Sequence, residues 1–132
     1  YGRPAACLLF GFDDFAAIRY ALGRDGADAW LKTVSQGVLS ALRAADRLFR
    51  IDSDEFVALL PETDNAGARL AGQRVLDVLQ GTPVQGPGGQ VEVIARCGGA
   101  LFPSERVRST EDLLREADRS FRLLADTPKR LF

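Results

Sequence analysis

The sequence contains no histidine among its 132 residues. This absence excludes zinc sites built on histidine, Ser-His-Asp catalytic triads and phosphorelay histidines. The formal net charge is -1 at pH 7, which gives no broad electrostatic attraction to nucleic acid or to an anionic membrane. An anionic ligand would therefore have to be bound by a local cluster of arginines, and we predict no nucleic-acid partner.

Cysteine is scarce, and long hydrophobic runs are missing. Cys7 and Cys97 are the only cysteines, and both lie in apolar segments that resemble strands. Buried free thiols in a reducing cytosol are therefore favoured over a disulfide. No apolar run approaches the roughly 20 residues that a membrane-spanning helix needs, and no secretory signal opens the sequence. These features predict a cytoplasmic domain without a membrane span.

The composition that is present is typical of a folded domain. Hydrophobic residues make up 46% of the chain and charged residues 27%, and this length is sufficient for one compact domain with a hydrophobic core. The sequence has no internal repeat and no domain boundary. We therefore predict a single domain over 1–132.

Hydrophobic periodicity and turn residues divide the chain into alternating helices and strands. In chain order we predict a strand over 5–12, a short helix over 15–22, a helix over 27–45, strands over 48–51 and 56–60, a helix over 66–79, a loop or frayed hairpin over 81–90, a strand over 91–101, a helix that begins after Ser109, and the start of a last strand at 131–132. This order predicts an α+β sandwich, in which helices cover a mainly antiparallel central sheet in a ferredoxin-related arrangement.

Several short motifs follow one another in a fixed order. Arg43-Ala-Ala-Asp46 is followed, after five further residues, by the pentapeptide 52–56 (Asp-Ser-Asp-Glu-Phe) and by an apolar strand that ends at Pro61. The segment 8–15 precedes them, and the Leu-Leu-Arg-Glu-Ala-Asp segment 113–118 follows. Together these motifs resemble the GGDEF family of bacterial diguanylate cyclases, and the resemblance implies the nucleotidyl-cyclase-like fold. The family's opening helix has no counterpart, so we expect a fragment of a longer protein.

The resemblance also implies that the catalytic signature has decayed. Diguanylate cyclases join two GTP molecules with the help of divalent metal, which is held by the first aspartate of an Asp-x-Asp segment and by the acidic pair of the signature turn. Gly11 stands at the first of these positions, so one ligand is missing. Asp13, Asp54 and Glu55 are retained, and Asp28 matches a guanine-contacting aspartate. With their partners lost, we interpret Asp28, Asp54 and Glu55 as exposed carboxylates.

The turn itself departs from the family pattern at its two glycines, which are replaced by Asp52 and Ser53, whereas Phe56 is retained. Glycine lets the backbone approach a phosphate closely and adopt positive φ. Asp52 instead adds a negative charge where a triphosphate should lie, and in water two unit charges about 4 Å apart repel by roughly 1 kcal/mol. We therefore predict that the domain is not an enzyme and holds no metal and no cofactor.

A second set of residues matches the family's regulatory site. Arg43, Asp46 and Arg74 resemble the product-inhibition site, which binds an intercalated dimer of cyclic di-GMP. Arginine can donate two parallel hydrogen bonds to O6 and N7 of guanine, and a carboxylate can accept from the opposite edge. The alternative is that Arg43 and Asp46 form a surface ion pair, worth about 0–1 kcal/mol, and that Arg74 is a solvated helix residue.

These observations support a ranked set of functions. The first is an inactive GGDEF domain that acts as a cyclic di-GMP receptor or regulatory module and contacts neighbouring sensor or phosphodiesterase domains in the bacterial cytoplasm. The second is a dimerisation or transmission domain that binds no nucleotide, which includes the case of a homodimer. The last is residual cyclase or GTP-binding activity that uses Asp13, Asp54 and Glu55.

Overall fold

A computed structural model of the chain describes residues 3–132. The element order is β1 (Ala5–Phe12), α1 (Phe15–Ala41), β2 (Arg47–Arg50), β3 (Glu55–Pro61), α2 (Asn65–Gly81), β4 (Val84–Gly86), β5 (Gly89–Val91), β6 (Ala95–Phe102) and α3 (Thr110–Leu123). The main sheet has the order β2-β3-β1-β6, and each neighbouring pair is antiparallel. The predicted fold class, an antiparallel sheet covered by helices, is confirmed.

Strand β1 lies at the centre because its residues are apolar on both faces. Leu8 and Phe10 belong to the core beneath α1 and α2, whereas Cys7 and Leu9 belong to the core beneath α3. Successive side chains of a strand point to opposite faces, so a continuous apolar run is buried only when both faces are covered. The sheet is therefore the middle layer of a three-layer domain.

Both cysteines are free and buried in this core, as the sequence predicts. Burial raises the pKa of the Cys7 thiol to about 12, and burial also raises the pKa of the Cys97 thiol above its usual value. The thiolate, which is the reactive form, is therefore suppressed at both positions. Within the part of the chain that the structure describes, no helix has both the length and the apolar character needed to cross a bilayer.

The first helical region agrees with the prediction at its start and differs at its end. Helix α1 is divided at Gly23, whose φ of 74° lies in the left-handed region that glycine tolerates and whose ψ of 172° is not helical, so the predicted separation between a helix over 15–22 and a second helix is confirmed. The helix ends at Ala41 because Leu42 is extended, with ψ at 163°. The predicted extension of this helix to residue 45 is wrong.

The segment before β6 also differs. Residues 84–91 form the small hairpin of β4 and β5, so the loop or frayed hairpin predicted over 81–90 is a short hairpin that begins after α2. Residues 92–94 do not belong to any strand, so the strand predicted over 91–101 is divided between β5 and β6. At the other end of the chain, Leu131 forms a parallel bridge with Cys97, which agrees with the predicted start of a strand there.

Helix α3 packs directly on β6 at Gly98, and this contact supplies a stability test. A Cβ atom at Gly98 would lie 2.6 Å from Cα of Phe121 and 2.9 Å from the carbonyl oxygen of Ala117. Because these are backbone atoms, Gly98→Ala must displace α3, and we expect it to lower the free energy of unfolding by about 2–3 kcal/mol. Thermal and urea unfolding measure the loss.

Gly88→Ala is the matched control, since a Cβ at Gly88 meets nothing within 4 Å. Its effect should lie within about 0.5 kcal/mol of zero. Equal stabilities for the two variants would contradict the close packing of α3 on β6.

Candidate functional site

The predicted regulatory residues line one pocket. Arg43 and Asp46 come from the loop between α1 and β2, and Arg74 comes from α2; all three contribute atoms to the lining of a cavity of about 340 Å³. Leu70 and Ala71 line the same cavity, because residues three and four positions apart lie on one face of a helix. The structure therefore brings together the three residues that the sequence singled out, beside an apolar wall.

The Arg43 guanidinium is held firmly by Asp46. The Arg43 Nη2 group donates to Oδ1 of Asp46 at 2.8 Å and its Nε donates to the same oxygen at 3.2 Å. The backbone N–H of Arg43 donates to Oδ2 at 2.8 Å. Only 2% of the Asp46 side chain is exposed, so its carboxylate faces Arg43 rather than the pocket. This hydrogen bond raises the pKa of Arg43, which keeps the guanidinium charged.

Two further acceptors fix the other side of Arg43. Nη2 donates to the carbonyl oxygen of Pro61 at 2.7 Å and to the hydroxyl of Thr63 at 2.8 Å. No hydrogen bond of the Nη1 group is found within residues 3–132. Because 55% of the Arg43 side chain is exposed, Nη1 is the part of the guanidinium that remains for a ligand.

The carboxylates around this pocket already have partners. Glu62 pairs with Arg3, and Asp64 caps α2 by accepting from the Gly67 N–H at 2.8 Å. No ion pair of Arg74 is found among the described residues, and its side chain is exposed on α2. The positive charge of Arg74 is therefore the one least neutralised by neighbours, which suits an anionic ligand.

A second group of candidate residues lies where the GGDEF resemblance predicts metal and triphosphate. Gly11, the penultimate residue of β1, lies opposite Glu55 of β3. A Cβ atom at Gly11 would lie 2.9 Å from the carbonyl oxygen of Asp54 and 3.2 Å from Cζ of Phe121. The side chain of the family's aspartate therefore does not fit at Gly11 without movement of its surroundings.

Arginines pair with two of the retained carboxylates. Asp13 accepts from Nη1 of Arg96 at 2.7 Å and from Nη1 of Arg130 at 2.6 Å. Glu55 accepts two parallel hydrogen bonds from Arg122, at 3.0 and 3.1 Å, and this pairing raises the pKa of Arg122. Bidentate arginine–carboxylate pairs are among the stronger hydrogen-bonded pairs in proteins. These carboxylates therefore already have cationic partners.

The hairpin residues Asp52, Ser53 and Asp54 of the signature form hydrogen bonds with one another. Asp52 accepts from the Ser53 N–H at 2.7 Å, and Asp54 accepts weakly from the Ser53 hydroxyl at 3.4 Å. Phe56 is buried and stacks on Phe10, with ring centroids 5.5 Å apart. Asp28 is exposed on α1, and no hydrogen bond joins it to these residues in the part that the structure describes.

The carboxylates of this cleft are not grouped as a ready-made metal site. Within the described residues, no group of three or more histidine, cysteine, aspartate or glutamate side chains is arranged to hold one. Sequence reasoning did not predict that Arg122 pairs with Glu55 or that Arg130 pairs with Asp13, because the partners of each pair lie far apart along the chain. It also missed Thr63. Spacing in the sequence gives no signal for these contacts, since they depend on how distant parts of the chain fold together.

Restoring the missing aspartate alone provides a test of this geometry. Gly11→Asp should lower the free energy of unfolding by about 1–3 kcal/mol, because the added side chain overlaps the Asp54 backbone and the Phe121 ring. We expect no rise in melting temperature when Mg²⁺ is added, since Asp13 and Glu55 stay paired with arginine. Gly88→Asp serves as the control, and a magnesium-dependent rise specific to Gly11→Asp would refute the misfit.

Comparisons with known proteins agree on the family. The family model "Diguanylate cyclase, GGDEF domain" matches residues 1–128. The cyclic di-GMP phosphodiesterase NbdA of Pseudomonas aeruginosa is 31% identical over 116 residues, which are 88% of this chain and 15% of that protein. The diguanylate cyclase DosC of Escherichia coli is 26% identical over 102 residues, covering 76% of this chain and 22% of that protein. The chain thus spans less than a quarter of the length of either relative.

Solved structures give the same result. The GGDEF domain of TpbB (YfiN) from Pseudomonas aeruginosa superposes with a TM-score of 0.84 at 26% sequence identity, covering 98% of this chain and 75% of that one. The fold, the family model and the sequence relatives therefore agree on one family. The chain belongs to the GGDEF domain family of diguanylate cyclases.

Proposed function

We propose that this chain is a GGDEF domain without cyclase activity, which binds cyclic di-GMP at Arg43, Asp46 and Arg74 and acts as a regulatory module. The observation that carries the proposal is the pocket itself. Arg43 and Arg74 line it together with apolar residues, and the buried Asp46 carboxylate holds Arg43 in place, which supports binding of an anionic ligand there.

The chemistry of this pocket suits a guanine dinucleotide. The O6 and N7 atoms of guanine and the phosphate oxygens all accept hydrogen bonds from arginine. In this arrangement Nη2 is engaged by Pro61 and Thr63, so Arg43 contributes through Nη1. The apolar side chains of Leu70 and Ala71 offer a surface for the face of a base, as ligand pockets commonly do.

The cleft supports the absence of catalysis. Condensation of two GTP molecules needs divalent metal to neutralise the triphosphate and to stabilise the transferring phosphoryl group. We interpret the signature as degenerate, because Gly11 replaces one metal ligand and Asp52 adds a negative charge. In addition, Asp13 and Glu55 accept hydrogen bonds from arginines. Each change opposes metal or GTP binding.

The relatives indicate a setting for this role. NbdA is named a cyclic di-GMP phosphodiesterase and DosC a diguanylate cyclase, and both are much longer than the matched segment. We infer that this domain works in the bacterial cytoplasm as one part of a longer signalling protein, beside sensor or phosphodiesterase domains. Binding at the pocket would then alter the contacts of those domains.

Calorimetric titration of the chain with cyclic di-GMP tests the proposal. We expect binding by the parent chain, and a loss of about tenfold or more in affinity for Arg43→Ala and for Arg74→Ala, because each removes a charged hydrogen-bond donor. Arg69→Ala is the matched control, since Arg69 lies on the same helix but outside the pocket and stacks on Phe132. No detectable binding by the parent chain would end the receptor hypothesis.

A nucleotide-independent dimerisation or transmission role remains as a second candidate, favoured by one observation. Phe49 in the edge strand β2 and Ile51 just after it are 48% and 53% exposed, and exposed apolar side chains at an unpaired sheet edge offer a surface for another chain. Sedimentation analysis distinguishes this role. A dimer that Phe49→Ser dissociates, with no response to cyclic di-GMP, would favour it over the receptor.

An assay for cyclase activity tests the prediction that the cleft is not catalytic. Incubation of the chain with GTP and Mg²⁺ should yield no cyclic di-GMP above a blank without protein, because the metal-holding carboxylates are incomplete and paired with arginine. Chromatography of the nucleotide products measures this. Steady formation of product would refute the non-catalytic assignment, and the loss of that activity in Glu55→Gln would locate it in the cleft.

A further inference from the structure

We infer that Thr63 is a positioning residue of the pocket, whose hydroxyl orients the Arg43 guanidinium towards a ligand. This inference rests on the proposed function, because it assigns a role within the same site. Thr63 lies between β3 and α2, is only 7% exposed and belongs to none of the sequence motifs that pointed to the pocket.

The hydroxyl of Thr63 has a fixed orientation. Its Oγ1 donates to the carbonyl oxygen of Pro61 at 3.0 Å, which uses its only proton. A lone pair is then left to accept from Nη2 of Arg43 at 2.8 Å. Nη2 carries two protons, of which one points to Asp46 and the other is shared between Thr63 and the carbonyl oxygen of Pro61, 2.7 Å away, so the two acceptors act together on one side of the guanidinium.

This arrangement decides which edge of Arg43 faces the pocket. Asp46 engages Nε and Nη2, and Thr63 with Pro61 engages Nη2 from the other side, which leaves Nη1 outward. An arginine with this degree of exposure would otherwise sample many rotamers and would lose that freedom when a ligand binds. Fixing the side chain beforehand therefore favours binding without a direct contact between Thr63 and the ligand.

Thr63 also connects the two arginines of the pocket. Its neighbour Asp64 is the N-cap of α2, the helix that carries Arg74. A Cβ atom at Gly67 would lie 3.1 Å from the Thr63 Cγ2 methyl, so this methyl packs close to the first turn of α2. The hydroxyl thus reaches Arg43, while the methyl lies beside the first turn of the helix that carries Arg74.

Two substitutions separate these contacts. Thr63→Val keeps the branched shape and the methyl but removes the hydroxyl, whereas Thr63→Ser keeps the hydroxyl and removes the methyl. Thr33→Val is the control, because the Thr33 hydroxyl donates to the Ala29 carbonyl on the exposed side of α1, at 3.3 Å, away from the pocket. Melting temperatures of all variants report any general loss of stability.

Two readouts test the role. In the chain without ligand, the Nε–H resonance of Arg43, identified by its absence in Arg43→Ala, should be sharp in the parent and in Thr63→Ser but shifted or broadened in Thr63→Val. In calorimetric titration with cyclic di-GMP, Thr63→Val should bind about fivefold more weakly or worse. Thr63→Ser and Thr33→Val should stay within about twofold of the parent.

The outcomes are separable from those of the proposed function. If the parent chain does not bind cyclic di-GMP, the proposed function fails, and the Arg43 resonance still decides whether Thr63 orients the side chain. An unchanged Arg43 resonance in Thr63→Val, or equal weakening of binding in the valine and serine variants, would overturn the inference. Should Thr63→Val fail to fold, Thr63→Ala compared with Thr63→Ser asks the same question, since only the hydroxyl differs.

Discussion

The arrangement of this domain depends on the burial of β1 from both sides. Its apolar residues can leave water only when α1 and α2 cover one face and α3 covers the other. That burial places β3 antiparallel beside β1, and β3 in turn runs between the two candidate sites. Glu55, at its start, lies in the cleft, and Pro61, at its end, bonds Arg43 at the pocket.

The two sites show opposite uses of arginine. In the cleft, Arg122 pairs with Glu55 and Arg96 pairs with Asp13. At the pocket, one carboxylate holds Arg43, while Arg74 keeps its charge unpaired by any described residue. The proposed receptor role rests on this difference between the two ends of β3.

Most of the fold follows from local patterns in the sequence, because the strands around β1, the hairpin of β2 and β3, and the helices α2 and α3 have clear periodicity and caps. The end of α1 does not. Ala45 continues the apolar stripe of that helix, but the buried Asp46 carboxylate accepts from the Arg43 N–H, and this polar network ends the helix earlier. The order of the motifs in the sequence pointed to Arg43, Asp46 and Arg74. Thr63 could not be predicted in this way, because it contacts Arg43 only after β3 folds back beside the loop that carries Arg43.

The ion pairs of the cleft have a consequence for how this domain responds to its surroundings. A divalent ion exchanges with solvent, so a cleft balanced by metal changes its charge with ion and nucleotide supply. The guanidinium groups beside Asp13 and Glu55 belong to Arg130 and Arg122 and are tethered to the backbone. The charges of Asp13 and Glu55 are therefore balanced by groups that the polypeptide itself supplies.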